Sequence, residues 1–155
     1  MPVFDFRHWT KASGDTLEET GPLVQVVLGM PQALEEWCVK NGFPVPAPVQ
    51  GYALIDTGAS STAVDEKIIS GLSIIPIDSI PTSTPTGHGR SFVYPAKVSF
   101  PGLNLGDVRM DRVIGCELNW QCADGREVIM LLGRDILKHF LLIYNGPGSS
   151  ISLAY

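Results

Sequence analysis

The sequence predicts an all-β, barrel-like domain. Three observations carry this: apolar, often β-branched runs recur along the chain, Gly- and Pro-rich turns separate them, and only two segments read as full helices. At 155 residues the chain forms one domain with a sizeable core. With 45% hydrophobic and 17% charged residues, it fits a globular protein with apolar surface left to bury in an assembly.

Residues 1–20 are mixed in character and form an N-terminal extension ahead of a domain spanning 21–155. Val3-Phe4-Asp5-Phe6 reads as a short strand and Ser13-Gly14-Asp15-Thr16 as a turn. Residues 23–28, Leu-Val-Gln-Val-Val-Leu, are a strand. Pro31 opens a helix that runs to Lys40; a proline in the first turn loses no needed N–H. Leu34, Trp37 and Cys38 share one face of that helix, and Asn41-Gly42 ends it. Residues 43–48 hold three alternating prolines and form an extended connector. A strand over 50–55 follows, and 62–69 runs on from it, with a helical turn at Asp65-Glu66-Lys67. Residues 72–77 read as another strand and 81–90 as a turn-rich excursion. The strand over 92–100 contains Pro95, which demands an edge or a bulge. A turn at 101–104, a strand over 108–114 and a polar loop over 117–126 come next. The chain closes with a strand over 128–132, a helix over 134–140, a strand over 141–144, a turn at 145–148 and a last strand over 150–155.

The net charge of −5 and the lack of any basic cluster argue against a nucleic-acid partner. No apolar run is long enough to span a membrane, and the opening residues lack the charged and apolar regions of a secretory signal. Cys38, Cys116 and Cys122 are odd in number and lack metal-ligand spacing, so they read as packing residues of a reduced, cytoplasmic protein. His8, His88 and His139 do not combine with them into a zinc set, and no metal or cofactor is expected. Trp9, Trp37 and Trp120 are expected as core or interface anchors.

One segment carries chemistry. The apolar run at 52–55 ends abruptly in Asp56-Thr57-Gly58, followed by Ala59-Ser60-Ser61. A carboxylate at the end of a buried strand is costly unless something uses it. Such a carboxylate, hydrogen-bonded from behind, is what acid–base catalysis requires. Downstream, the apolar run 128–132 ends in Gly133 and continues through Arg134-Asp135 into the last helix.

Together these two segments resemble the retropepsins, the retroviral-type aspartic proteases, and their bacterial relatives. The resemblance runs from about Pro22 to the C-terminus, with the helix and connector over 31–48 inserted relative to the viral enzymes. It implies a retropepsin-like acid-protease barrel with a short C-terminal helix and an inserted N-terminal helix. It also implies an aspartic endopeptidase in which Asp56 is catalytic, Thr57 locks the loop across a two-fold axis, and Gly58 allows the tight turn. Ala59 and Ser60 fall where the family contacts substrate backbone. Thr86, Gly87, His88 and Gly89 fall in the flap, the hairpin that closes over substrate. Leu132, Gly133, Arg134 and Asp135 support the loop from below, where Arg134 pairs with acidic or backbone groups, Asp65 and Asp135 being the candidate acids. Leu54, Ile75, Val93 and Ile114 are candidates for apolar substrate pockets. A bilobal enzyme carries two such Asp motifs and this chain carries one, so a homodimer acting on a peptide or protein is implied. The end strand is a candidate for pairing with the second copy, unless the N-terminal extension covers it. The alternative is a non-catalytic dimerisation or peptide-binding module on the same fold.

Overall fold

The computed structural model describes residues 7–11, 16–84, 87–103 and 105–155. Six strands close a barrel. β2 (Leu23–Gly29) pairs antiparallel with β3 (Val49–Ile55), and β3 lies parallel to β9 (Glu127–Leu132). β9 runs antiparallel to β4 (Ala63–Asp65), and β4 parallel to β7 (Val108–Cys116). β7 pairs with β6 (Gly87–Ser99), whose far end returns to β2 with Val98 opposite Leu28. β5 (Asp78–Thr84) extends the sheet beyond β6 as a hairpin, and β8 (Trp120–Gln121) adds a short rung on β9.

The alternation of the strands fills the barrel. Val24, Val26 and Leu28 of β2 meet Ala96 and Val98 of β6 and Ile129 of β9 in one core cluster. Pro95 sits where the β6–β7 register shifts between Tyr94 and Ala96, so the residue without an N–H occupies a bulge, as its presence in a strand requires. Tyr94 is buried and donates its hydroxyl to Glu66 of α3 (Glu66–Gly71). Burial, then the bond to and the charge of Glu66, pushes its phenol up to about 12.

A second, three-stranded sheet has the order β1 (Arg7–Lys11), β11 (Ser150–Ala154), β10 (Leu141–Asn145). Ile151 and Leu153 of β11 are fully buried in the main core, so the C-terminal strand belongs to the barrel's interior packing. β11 is paired on both edges within the chain.

Several elements differ from their sequence reading. The strand expected over 72–77 is absent. Leu72 instead closes α3, Ser73 takes a positive φ of 57°, and Pro76 has no N–H to give a ladder. Pairing starts only when the Ile77 N–H reaches the Val93 carbonyl. The turn-rich excursion at 81–90 is a regular hairpin whose described rungs run from Asp78 opposite Val93 to Thr84 opposite Gly87. The last helix is shorter than expected: α4 spans only Arg134–Leu137, and Phe140 then packs edge-on against Tyr155 as β10 begins. The short helix α1 (Thr16–Thr20) precedes β2, and the inserted helix forms as expected, as α2 (Gln32–Lys40), but Trp37 is not a core residue. It is 53% exposed and stacks on Phe43, while Cys38 takes the buried position. Trp120 is half-buried beside the small cluster of Leu23, Cys122 and Val128. The expected strand at 3–6 and most of the expected turn at 13–16 lie outside the described residues. Among the described residues, no helix is long and apolar enough to cross a membrane.

Two predictions follow from the packing. Leu153→Ala removes a fully buried side chain shared between the sheets, so urea unfolding should remain one transition, weakened by about 2–5 kcal/mol. A main transition left at its wild-type midpoint would show that the small sheet is an independent appendage. The raised phenol of Tyr94 contributes stability below its unfolded value of 10.0, and that stability is lost as pH rises towards about 12. Alkaline melts should therefore decline in that window, and less steeply in Tyr94→Phe.

Candidate active site

β3 buries Ala53 and Ile55 on its core face, and the next N–H, that of Asp56, donates to the Leu132 carbonyl at 3.0 Å. Asp56 is thus the last rung between β3 and β9, and its half-buried carboxyl emerges where the ladder stops. Asp56 Oδ1 accepts the N–H groups of Gly58 at 2.9 Å and Ala59 at 3.2 Å. These bonds hold the carboxyl group in one orientation. Gly58 has no positive φ. Its lack of a side chain matters for space, because a Cβ there would sit 3.1 Å from Oδ1.

Arg134 braces the loop from below. Its guanidinium Nη1 donates to the carbonyls of Thr57 at 2.8 Å and Gly58 at 2.9 Å, and its backbone N–H donates to the Ala59 carbonyl at 3.0 Å. Neither carboxylate suggested by the sequence is its partner. Asp65 caps α3 through the N–H groups of Lys67 and Ile68, and Asp135 turns to Thr62. The carbonyls at 57 and 58 turn down towards Arg134 because the carboxylate has taken the N–H groups on the other side of the loop.

The decisive contact is between two backbones. A Cβ on Gly133 would fall 2.5 Å from the Ser61 carbonyl carbon and 2.8 Å from the Thr62 nitrogen, so only glycine fits. The fully buried Thr62 ties the two segments. Its hydroxyl donates to Asp135 Oδ1 at 2.7 Å and accepts the Gly133 N–H at 3.0 Å. Its own N–H donates to Asp135 Oδ2 at 2.9 Å. Sequence reasoning missed Thr62. A hydroxyl residue just before the apolar pair Ala63-Val64 is the only local signal, and its partners lie more than 70 residues away.

Register sorts the side chains around Asp56 into two faces. Paired residues share a face, so Leu54, Leu131, Ala63, Ile114 and Val93 form one row across β3, β9, β4, β7 and β6. The row lies opposite the core face of Ile55, Leu132, Val64 and Val113. Asp56 lies two residues beyond Leu54 and continues this row. Leu54, Ile114 and Val93, three of the four residues expected to line apolar pockets, therefore fall in this row, although Val93 is buried and sits at its far end on β6. The fourth, Ile75, is 79% exposed and outside the row.

The hairpin splits its candidate residues. Gly87 and Gly89 share the face of Ser91 and Val93, with Thr82 opposite Gly89. His88 lies on the reverse face with Arg90 and Phe92, where its Nδ1 is 3.0 Å from Ser83 Oγ. The structure therefore turns His88 away from the Asp56 face, because side chains alternate along an unbroken strand. Thr86 lies outside the described residues. Thr57 and Ser60 are exposed at the loop, and Ala59 is half-buried. Among the described residues, no three His, Cys, Asp or Glu side chains gather as a metal site. The thiol of Cys116, pushed up to about 11 by burial and then by the charges of Asp65 and Glu66, is a poor nucleophile.

The family model described as aspartyl protease matches residues 41–136, from the end of α2 to α4 and including both halves of this site. No curated protein matches the chain.

Thr62→Val should lower stability by about 1–3 kcal/mol in urea titrations, because it strands the Gly133 N–H and takes from Asp135 Oδ1 one of its two donors, leaving the Ile136 N–H. Ser60→Ala, at an exposed position of the same loop, should leave the midpoint in place. Equal midpoints for Thr62→Val and wild type would show that the tie is not structural.

Proposed function

The chain belongs to the aspartyl protease family, of retropepsin type, and on that premise we propose that it is an aspartic endopeptidase. The active unit is a homodimer in which Asp56 of each copy supplies half of the catalytic dyad. One observation carries this reading: a single Asp-Thr-Gly carboxylate is fixed at a strand end by two backbone N–H groups, with an apolar row beside it.

Two carboxylates facing each other across a two-fold axis share one proton, because like charges so close cannot both ionise. The ionised Asp56 takes a proton from a water molecule as its oxygen attacks the scissile carbonyl carbon. The protonated Asp56 of the other copy gives its proton to the carbonyl oxygen, which yields a tetrahedral gem-diol. Collapse returns a hydroxyl proton to one carboxylate, and the amide nitrogen leaves with a proton from the dyad. No covalent acyl-enzyme forms. An extended peptide lies against the row from Leu54 to Val93, with the β5–β6 hairpin as its cover. Apolar side chains suit Leu54, Leu131 and Ile114. Gly87, Gly89 and Thr82 present little bulk on the covering face.

Peptide-library cleavage by Asp56→Asn, checked to be folded and dimeric, should fall by about a thousandfold or more. Wild-type cleavage should be faster at mildly acidic than at alkaline pH, since base removes the shared proton. A folded Asn variant that cleaves at the wild-type rate would overturn the dyad, and a wild-type dimer that cleaves nothing would favour a binding module.

A further inference from the structure

We infer that Glu66 and Tyr94 are positioning residues of the site, whose hydrogen bond fixes the base of the β5–β6 hairpin over the Asp56 face. This rests on the reading of that hairpin as the cover of a bound peptide and names the contact that sets its height.

β6 leaves the barrel beside Tyr94. Its rungs with β7 run from Val98 opposite Val108 to Val93 opposite Ile114. Past Val93, towards Gly87, β6 pairs with β5 alone. Val93 ends the apolar row, and Tyr94 beside it turns its ring into the core. Tyr94 is thus the core-facing residue at the root of the hairpin's first arm.

Glu66 stands at the root of the second arm. It opens α3, which leads through residues 72–77 into β5. In the other direction its chain runs back through β4 to Thr62, the residue that ties the Asp56 loop to Gly133. The bond from the Tyr94 hydroxyl to the Glu66 carboxyl therefore joins both arms of the hairpin to the frame that carries Asp56.

The seat of this bond is shaped for it. Gly115 of β7 lies opposite Val64 and so faces the core. A Cβ on Gly115 would fall on Glu66 Oε2 and lie 3.0 Å from the Tyr94 ring. The carboxyl and the ring edge occupy the volume that any other residue would fill. Among the described residues, Glu66 has no ion pair, and the Tyr94 hydroxyl is the donor its carboxyl takes. A tilt of the hairpin turns β6 at Tyr94 and draws the hydroxyl off its acceptor, which leaves a buried polar group unpaired. The bond thus opposes lifting of the cover. It acts on peptide binding, not on the reacting atoms.

The test reads amide hydrogen exchange and peptide cleavage on the same samples. Tyr94→Phe keeps the ring and removes the hydroxyl. Its hairpin amides should exchange about five- to tenfold faster, because lifting no longer breaks the bond. Its KM for peptide should rise about fivefold, with kcat within about twofold of wild type. Glu66→Ala should match it, and the double variant should add little to either, since both remove one interaction. Glu66→Gln, which keeps an acceptor, should stay near wild type. If Glu66→Ala fails to fold, Tyr94→Phe and Glu66→Gln decide between them. Hairpin exchange at the wild-type rate, with only β3 and β9 amides faster, would mean that the bond serves the stability of the fold alone, and would overturn the role. A fall in kcat at unchanged KM would overturn it too. A wild type that cleaves nothing overturns the endopeptidase reading, and exchange at the hairpin then decides this inference by itself.

Discussion

The Asp56 end of this protein depends on one close approach, the backbone of Gly133 lying against that of Ser61 and Thr62. Thr62 makes the approach hold by giving its hydroxyl proton to Asp135 and taking the Gly133 N–H. These groups are largely shielded from water, so each bond counts for more and each missing partner would cost more. From this clasp the loop is built upward. Leu132 offers its carbonyl to Asp56, Arg134 gathers the carbonyls of Thr57 and Gly58, and the freed N–H groups of Gly58 and Ala59 turn to the carboxylate.

The consequence is preorganisation. The chain's own backbone orients the Asp56 carboxylate, which lowers the reorganisation that acid–base chemistry at this position would require. The same β3–β9–β4 junction also sorts side chains into two faces. One face fills the barrel with Ile55, Val64 and Leu132. The other presents Leu54, Ala63 and Leu131 next to Asp56. A single register thus fixes both the core and the wall of the site, and a slip by one residue would exchange them.

Much of this was legible in the sequence where the signal is local. An apolar run ending in Asp-Thr-Gly, a second ending in Gly-Arg-Asp and a proline inside a strand each declare their structure through backbone chemistry. What stayed hidden depends on partners distant in the chain. The sequence leaves open whether Arg134 pairs with an acid or with backbone, until the fold shows it on the loop carbonyls and Asp135 already engaged by Thr62. His88 reads as a flap residue, facing substrate or simply solvated, and only the β5–β6 register places it on the face opposite Gly87 and Gly89. Residues 72–77 have strand composition, yet the positive φ of Ser73 and the missing N–H of Pro76 break the ladder there. The place of β11 between β1 and β10 is a pairing choice that no short stretch of sequence encodes.

The most direct measurement of the central claim, that each chain supplies half of a shared active site, mixes subunits. Wild type and Asp56→Asn are dissociated, combined in equal amounts and allowed to reassociate, and peptide cleavage is compared with that of wild type alone at the same total concentration. If both carboxylates are required, only dimers with two wild-type loops are active, and about one quarter of the activity remains. Retention of about one half or more would mean that a single chain, or a single Asp56 per dimer, suffices, and would contradict the shared site.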